Sequence, residues 1–333
     1  MSAPVLTPSD AGAGRSLVAP PSRIGDELAG WMLAATRAAA WAAARWAGRG
    51  DPRAADEAST TAMRATLATA PGTGTVVTGE GAKDGAPMLA DGELTGAGGS
   101  PTYDIAVDPL ECTDLCAHGL PGALSTIALA PRGALWSPGP SFYMDKLVLP
   151  PAARQAASLT DSPEERLVRV AARLGKAVSE LRVVVLGKPR HRELVASLRA
   201  TGAIVATPPA GDVAGALAVV LPDGEADMLL GVGGTPEGVL AGCAVRALGG
   251  GMEGRLAPQR DDERRALEAS DADLDAVLTL DDLVRAEATF VATGVTGGLL
   301  AAPEQHGGWL VTESLVIAAG TVQRIRQTTP IEE

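Results

Sequence analysis

From Ile24 onward, apolar side chains recur at three- and four-residue steps through Leu28, Trp31, Met32, Ala35, Ala38, Ala39 and Ala42, the spacing of one helix face. Gly48 and Gly50 end that run. A second helix is expected over about residues 54–68, behind Pro52, burying Ala55, Ala58, Ala62, Met63 and Leu67 and carrying Asp56 in its first turn. The pattern then shifts to short β-prone runs at 75–78, 103–107 and 124–129, divided by glycine-rich turns. These features describe an α+β half.

A connecting stretch at 152–161 leads to Ser162-Pro163-Glu164-Glu165, which reads as a helix start: Ser162 is the N-cap, proline takes the first helical position and Glu165 closes a capping box. Beyond it an apolar strand at 182–186 is followed by a helix at 191–199, a strand at 203–206, a helix from Asp212 and a strand at 227–232. Such alternation predicts a parallel sheet covered on both faces. Residues 289–325 return to short strands around Gly294, Gly297 and Gly298. The expected organisation is a tail at 1–23, a metal-binding half at 24–160 onto which 289–325 packs back, a substrate-binding half at 161–288 and a tail at 326–333. No internal repeat is visible.

Charge narrows the choice of partners. The 333 residues carry 28 basic and 40 acidic side chains, a formal net charge of −12, and contain no Lys/Arg run. Phosphate backbones and anionic lipid are repelled by such a chain, so neither nucleic acid nor a membrane is an expected partner. Only three cysteines occur, Cys112, Cys116 and Cys243, without C-x-x-C spacing, which fits a reducing, cytoplasmic setting. The N-terminus lacks a basic start before an apolar run and does not read as a secretory signal. Cys112 and Cys116 read as small buried thiols, His118 and His306 as surface residues, and Trp31, Trp41 and Trp46 as core or subunit contacts.

Functional groups concentrate in four glycine-marked turns. Thr78-Gly79-Glu80-Gly81-Ala82-Lys83-Asp84 holds Glu80 and Asp84 four residues apart. In Asp104 to Thr113 an apolar strand ends at Asp108, Pro109 turns the chain, and Asp108 and Glu111 converge with the Thr113 hydroxyl behind them. Gly233-Gly234-Thr235-Pro236-Glu237 opens a helix at the carboxyl end of a strand, where bare amides attract anions. Lys188-Pro189-Arg190-His191 groups three phosphate donors. Carboxylates at several strand ends, with few histidines, offer hard oxygen ligands that suit Mg²⁺ or Mn²⁺ and disfavour Zn²⁺. Two such ions together suggest phosphoester hydrolysis.

Taken in order, Gly48-Arg49-Gly50-Asp51 with Asp56, Gly79-Glu80-Gly81 with Ala86-Pro87-Met88-Leu89, Asp104 to Thr113, Tyr143-Met144-Asp145-Lys146-Leu147, Lys188 to His191 and Gly233 to Gly238 resemble the class II (GlpX-type) fructose-1,6-bisphosphatases. The resemblance runs from about Ile24 to Ile325. It implies an α/β chain with the layered α/β/α/β/α fold of the lithium-sensitive inositol monophosphatase/fructose-bisphosphatase superfamily. It also implies Mg²⁺- or Mn²⁺-dependent removal of the 1-phosphate of fructose 1,6-bisphosphate, a gluconeogenic reaction, by a homo-oligomer, a dimer or tetramer. By motif, the metal carboxylates fall on Asp56, Glu80, Asp108, Glu111 and Glu237 and the catalytic pair on Thr113 and Asp84. The substrate contacts fall on Glu111, Cys112, Thr113, Tyr143, Lys188, Arg190, His191, Asp212 and Gly234.

Five positions depart from the family pattern. Ala82 and Gly85 stand where the family has glutamates, Cys112 where it has glycine, Pro52 where it has lysine and Ala210 where it has aspartate. A β-carbon at 112 is costly if the backbone there needs positive φ. These departures raise two alternatives to fructose 1,6-bisphosphate hydrolysis. One is a phosphatase acting on another substrate, sedoheptulose bisphosphate or a specialised-metabolite sugar phosphate. The other is a catalytically silent paralogue that binds sugar phosphate.

Overall fold

A computed structural model describes residues 24–79, 82–83, 86–87, 89–270 and 272–331. In chain order, helices α1 (Ile24–Ala44) and α2 (Pro52–Leu67) precede strand β1 (Gly72–Thr78), a two-stranded hairpin of β2 (Ala82–Lys83) and β3 (Ala86–Pro87), β4 (Leu94–Gly98) and β5 (Thr102–Glu111). Next come α3 (Thr113–Ala117), β6 (Leu124–Pro131), β7 (Tyr143–Leu149) and α4 (Pro163–Leu174). The chain continues through β8 (Arg182–Val184), α5 (Arg192–Ala200), β9 (Ile204–Ala206), α6 (Asp212–Val220), β10 (Met228–Gly234) and α7 (Thr235–Leu248). It then forms β11 (Gly251–Leu256), α8 (Asp261–Ala269), β12 (Leu278–Thr279), α9 (Leu280–Leu283), β13 (Thr289–Gly294), β14 (Glu304–His306), β15 (Trp309–Ala318) and β16 (Thr321–Pro330).

Two sheets organise these elements. The first has the order β14-β15-β13-β6-β5-β1-β4, with β16 also pairing β15; the second has the order β12-β11-β7-β10-β8-β9. Leu28, Met32 and Ala35 of α1 and Met63 of α2 pack on one face of the first sheet, against Ile105, Ile127 and Val291. Helices α6 and α7 lie between the sheets, where Val213, Leu217, Val239 and Leu240 meet Phe290 and Leu315 on one side and Met144, Val148 and Leu229 on the other. Leu167 and Val170 of α4 and Leu198 of α5 cover the outer face of the second sheet over Leu147, Leu149 and Leu230. The five layers expected from the family resemblance are therefore present. Strands buried on both faces lack an exposed polar alternation, and β6 is such a strand, buried from Leu124 to Ala130 with Ser125 and Thr126 as its only polar residues.

Local chemistry explains most element boundaries. Ser162 and Glu165 exchange the two hydrogen bonds of a capping box at α4, 2.8 Å from the Ser162 amide and 3.2 Å from the Glu165 amide, as the sequence predicts. At α2 the cap is Asp51, whose side chain accepts from Ala54 N at 3.0 Å, and Pro52 is the first helical residue. Asp56 consequently lies in the second turn rather than the first.

Four further expectations change. The second sheet is mixed rather than parallel: β10, β8 and β9 run parallel, whereas β7 is antiparallel to both β10 and β11. Strand β7 enters from the amino-terminal half, ahead of residue 160, so the second sheet draws on both of the expected halves. Pro109 does not end its strand, because a register shift between Asp108 and Glu111 absorbs the proline and β5 continues to Glu111. Residues 326–330 are strand rather than tail, since β16 pairs β15 from Thr321 to Pro330. Among the described residues no helix is long and apolar enough to cross a membrane.

Candidate metal and phosphate site

Strand β5 and the start of α7 bring three acids together. One carboxylate oxygen each from Asp108, Glu111 and Glu237 lies within 4.8 Å of the others. The irregularity at the end of β5 turns Asp108 and Glu111 to the same side, and the Asp108 carboxylate accepts from Leu110 N at 3.1 Å. Glu237 stands in the first turn of α7, where the helix dipole favours a negative charge. Asp56 is buried in α2 and is not in this group of three. Glu80 and Asp84 lie outside the described residues.

The backbone leaves room for these carboxylates by omitting side chains. A β-carbon at Gly233 would overlap the Asp212 carboxylate, and one at Gly234 would overlap that of Glu237. Glycine at both positions is thus a requirement of close approach. The amides, however, are not bare as the sequence pattern suggests: Gly234 N donates to Asp212 Oδ2 at 2.8 Å and Thr235 N to Phe142 O at 3.0 Å. Gly234 O accepts from Lys146 Nζ at 2.7 Å, so both polar groups of that peptide residue are engaged within the protein.

Electrostatics suit the cluster to holding a cation. Burial raises the Glu111 carboxyl above the usual range, opposed by a hydrogen bond with Asp108. Glu237 is pushed up to about 7, first by burial and then by the charges of Glu111 and Asp212. Its Oε2 is buried with no hydrogen-bond partner among the described residues, an arrangement that disfavours the bare carboxylate and that a cation would satisfy. Three hard oxygen donors at this separation fit Mg²⁺ or Mn²⁺.

A cleft of about 500 Å³ opens over the acids and is lined by Thr113, Tyr143, Lys188, Arg190 and Asp212 among others. The Thr113 hydroxyl, at the first residue of α3, donates to Leu110 O at 2.9 Å, which leaves its oxygen able to accept from water. Arg190 donates through Nε and Nη2 to Val232 O, at 3.0 and 2.8 Å, and its guanidinium stacks 5.3 Å from the centroid of the Tyr143 ring. The Lys188 ammonium has no protein partner among the described residues and lines the cleft as an available cation.

His191 takes a different position from the donor role expected of it. The ring is 3% exposed; Val232 N donates to its Nε2 at 2.8 Å, which sets the proton on Nδ1 for donation to Leu186 O at 2.7 Å. Both nitrogens are therefore spent on tying the 186–191 turn to β10, and burial lowers the pKa of the ring below its ordinary value. Gly231, at φ 112°, keeps the ring's place open, since a β-carbon there would come 2.9 Å from Nε2.

Cys112 occupies the left-handed conformation, φ 64° and ψ 48°, between Glu111 and Thr113. The positive φ considered for this position is real. Burial and the neighbouring acids push its thiol far above the ordinary range, so it remains protonated and is no thiolate nucleophile. Cys116 is buried, its thiol 3.5 Å from Ala43 O, as a small core thiol.

Two residues escaped sequence reasoning. Lys146 pairs with Asp212 beneath the cleft while 2% exposed. Its signal was a lysine in register with Met144 and Val148 on an otherwise apolar strand, a place where lysine needs a buried carboxylate. Glu263 of α8, 1% exposed, accepts from Phe142 N and Tyr143 N at 2.7 and 2.8 Å and so anchors the backbone that carries Tyr143. Nothing local distinguishes Glu263 from the solvated acids around it.

Known proteins match this chain along nearly its whole length. The family model described as bacterial fructose-1,6-bisphosphatase, glpX-encoded, covers residues 26–329. The chain is 39% identical over 317 residues to "Fructose-1,6-bisphosphatase 1 class 2" of Escherichia coli strain K12, a match spanning 90% of this chain and 94% of that protein. "Fructose-1,6-bisphosphatase class 2" of Shigella flexneri matches with the same 39% identity and the same 90% and 94% coverage. With the five-layer fold, the convergent acids and matches of this extent, the chain belongs to the glpX-encoded, class II fructose-1,6-bisphosphatase family.

Proposed function

We infer that this protein is a phosphoric monoester hydrolase that removes the 1-phosphate of fructose 1,6-bisphosphate, with Mg²⁺ or Mn²⁺ held by Asp108, Glu111 and Glu237 and, by motif, by Asp56 and Glu80. The observation that carries the reading is the approach of the Asp108, Glu111 and Glu237 oxygens to within 4.8 Å of one another at the floor of a cleft that also presents Lys188 and Arg190. Anion-binding cations above an acidic floor match a bisphosphate whose reacting phosphate meets the acids' cation and whose distal phosphate meets Lys188 and Arg190.

When bound, the divalent cation supplies charge stabilisation at the phosphoryl oxygens and acidifies water. The chain's own groups do the rest. Thr113, whose proton goes to Leu110 O, accepts a hydrogen bond from the attacking water and aims its lone pair at phosphorus. Asp84 takes the proton, by motif. Lys188 and Arg190 anchor the distal phosphate, with Arg190 held flat by Tyr143 and Val232 O. Asp212 Oδ2 is occupied by Lys146 and Gly234 N, and its Oδ1 is the oxygen that accepts a sugar hydroxyl. His191 acts as a positioning residue for the Lys188–Arg190 turn. The expected setting is cytoplasmic, and the expected assembly is a homo-oligomer, a dimer or tetramer.

A second substrate has one observation in its favour: Ala210 and Cys112 form part of the cleft wall, where the family pattern has aspartate and glycine. Phosphate release with Mn²⁺ from fructose 1,6-bisphosphate, sedoheptulose 1,7-bisphosphate and the corresponding monophosphates tests both readings. Turnover of fructose 1,6-bisphosphate ahead of the others supports the first. Preference for the seven-carbon substrate would redirect it, and binding of the bisphosphates without any release would overturn hydrolysis.

A further inference from the structure

One charged group lies beneath the carboxylates, and the mechanism above uses it only as a neighbour. Lys146 is the fourth residue of β7, the strand between β10 and β11, and it alternates with Met144 and Val148 onto the face under α6 and α7. Its stem runs below the first turn of α7, where a β-carbon at Gly238 would come 3.4 Å from Cδ. Its ammonium pairs with Asp212 Oδ2 and donates to Gly234 O at 2.7 Å, while Gly234 N donates to the same Asp212 oxygen at 2.8 Å. Three groups thus close a ring. Asp212 is the first residue of α6 and Gly234 the last before α7, so one lysine joins the starts of both helices that sit between the sheets.

A buried ammonium ion is costly, and an apolar side chain of similar length would fill this space without the desolvation penalty. Its charge is therefore the feature to explain. Five carboxylates, Asp108, Glu111, Asp114, Asp212 and Glu237, line the cleft, and Lys146 is a buried cation opposing them; Lys188 and Arg190 also line it. Without it the array would hold divalent cations more strongly but would also repel an incoming phosphate dianion. We propose that Lys146 is a positioning residue of the phosphatase site: it clamps Asp212 and the Gly234 peptide at the two helix starts and sets the net charge at which the acidic array holds cations yet admits an anionic substrate.

The inference rests on the reading of the cleft as a divalent-metal phosphatase site, and the test separates the two. Mn²⁺ binding to the metal-stripped full-length chain is measured by the electron paramagnetic resonance signal of free Mn²⁺, in low salt and without substrate. Lys146→Met keeps the stem and removes the charge. It should bind Mn²⁺ roughly tenfold more tightly than wild type, the effect of one unit charge acting across a few ångströms of protein. For fructose 1,6-bisphosphate its KM should rise at least about tenfold with a smaller change in kcat. Asp212→Asn should weaken Mn²⁺ by a similar factor, and the double variant, with the original net charge, should return to within about twofold of wild type. A Lys146→Met protein that binds Mn²⁺ no more tightly than wild type, or a double variant no tighter than Asp212→Asn, would overturn the inference. If Lys146→Met does not fold, the comparison of the double variant with Asp212→Asn decides alone. Wild-type protein that binds no Mn²⁺ at all would instead overturn the phosphatase reading, and this inference with it.

Discussion

Between Glu111 and Thr113, Cys112 holds φ at 64°, a conformation that costs a residue bearing a β-carbon about 1–2 kcal/mol. Cys112→Gly and Cys112→Ala both remove the thiol and differ only in the β-carbon. Urea unfolding should therefore find the glycine variant the more stable by about 1 kcal/mol, after the extra freedom of glycine in the unfolded chain is subtracted. An alanine variant equal to or more stable than glycine would show that the strain is relieved elsewhere. At the same scale, Glu237 carries a buried carboxylate oxygen with no partner among the described residues. Glu237→Gln keeps its shape and removes its charge, so Mn²⁺ binding measured by calorimetry should be lost. Turnover should drop at least about a hundredfold, as expected for loss of a group that organises transition-state charge.

The junction of β10 and α7 is the element on which the site depends. Gly233 and Gly234 leave space that the Asp212 and Glu237 carboxylates occupy, and the peptide between strand and helix is held by Lys146 and Asp212. One methyl group suffices to disturb it. In Gly234→Ala the new β-carbon must expel Glu237 from its place, so Mn²⁺ affinity should fall at least about tenfold. Unfolding stability should change by only about 1–3 kcal/mol, because the clash is with a side chain at the edge of a cleft. Loss of stability with unchanged Mn²⁺ affinity would contradict this account. On the other side of the cleft, His191 ties the 186–191 turn to β10. His191→Ala should loosen Lys188 and Arg190, raising KM for the sugar bisphosphate more than it lowers kcat. The reverse split in steady-state kinetics would assign the ring to chemistry instead.

Over the whole molecule, the acidic cleft makes metal-free stability depend on pH. The Glu237 carboxyl is pushed up to about 7 in the fold, against an ordinary carboxyl value of about 4.3. Between those values the native chain retains a proton that the unfolded chain has released, so the unfolded state gains as pH rises. Glu111, raised in the same direction, adds to the effect. With EDTA present, the urea midpoint should fall from about pH 5 to about pH 7 and then level off. Saturating Mn²⁺ should flatten or invert that slope, because the cation stabilises the ionised form. A midpoint that climbs through this window without metal would mean the acids are already neutralised within the protein.

The linear order of residues made some of this protein legible by itself. The Ser162–Glu165 cap depends on neighbours three residues apart and on nothing distant, and it is found as expected. The apolar periodicity of α1 and the continuous burial of β6 likewise follow from local pattern and the demand for a covered face. The motifs around Asp108, Glu111 and Glu237 marked the acids that converge. Other features were not legible, because they join residues far apart in the chain. Strand β7 is not among the β-prone runs that the local pattern marks, and its antiparallel place in the second sheet was decided by which partners its backbone met. Lys146 and Asp212 lie 66 residues apart, and His191 and Val232 lie 41 apart. Spacing can announce a lysine or a histidine, but only the folded chain determines whether its polar atoms face a substrate or are already bound to the protein.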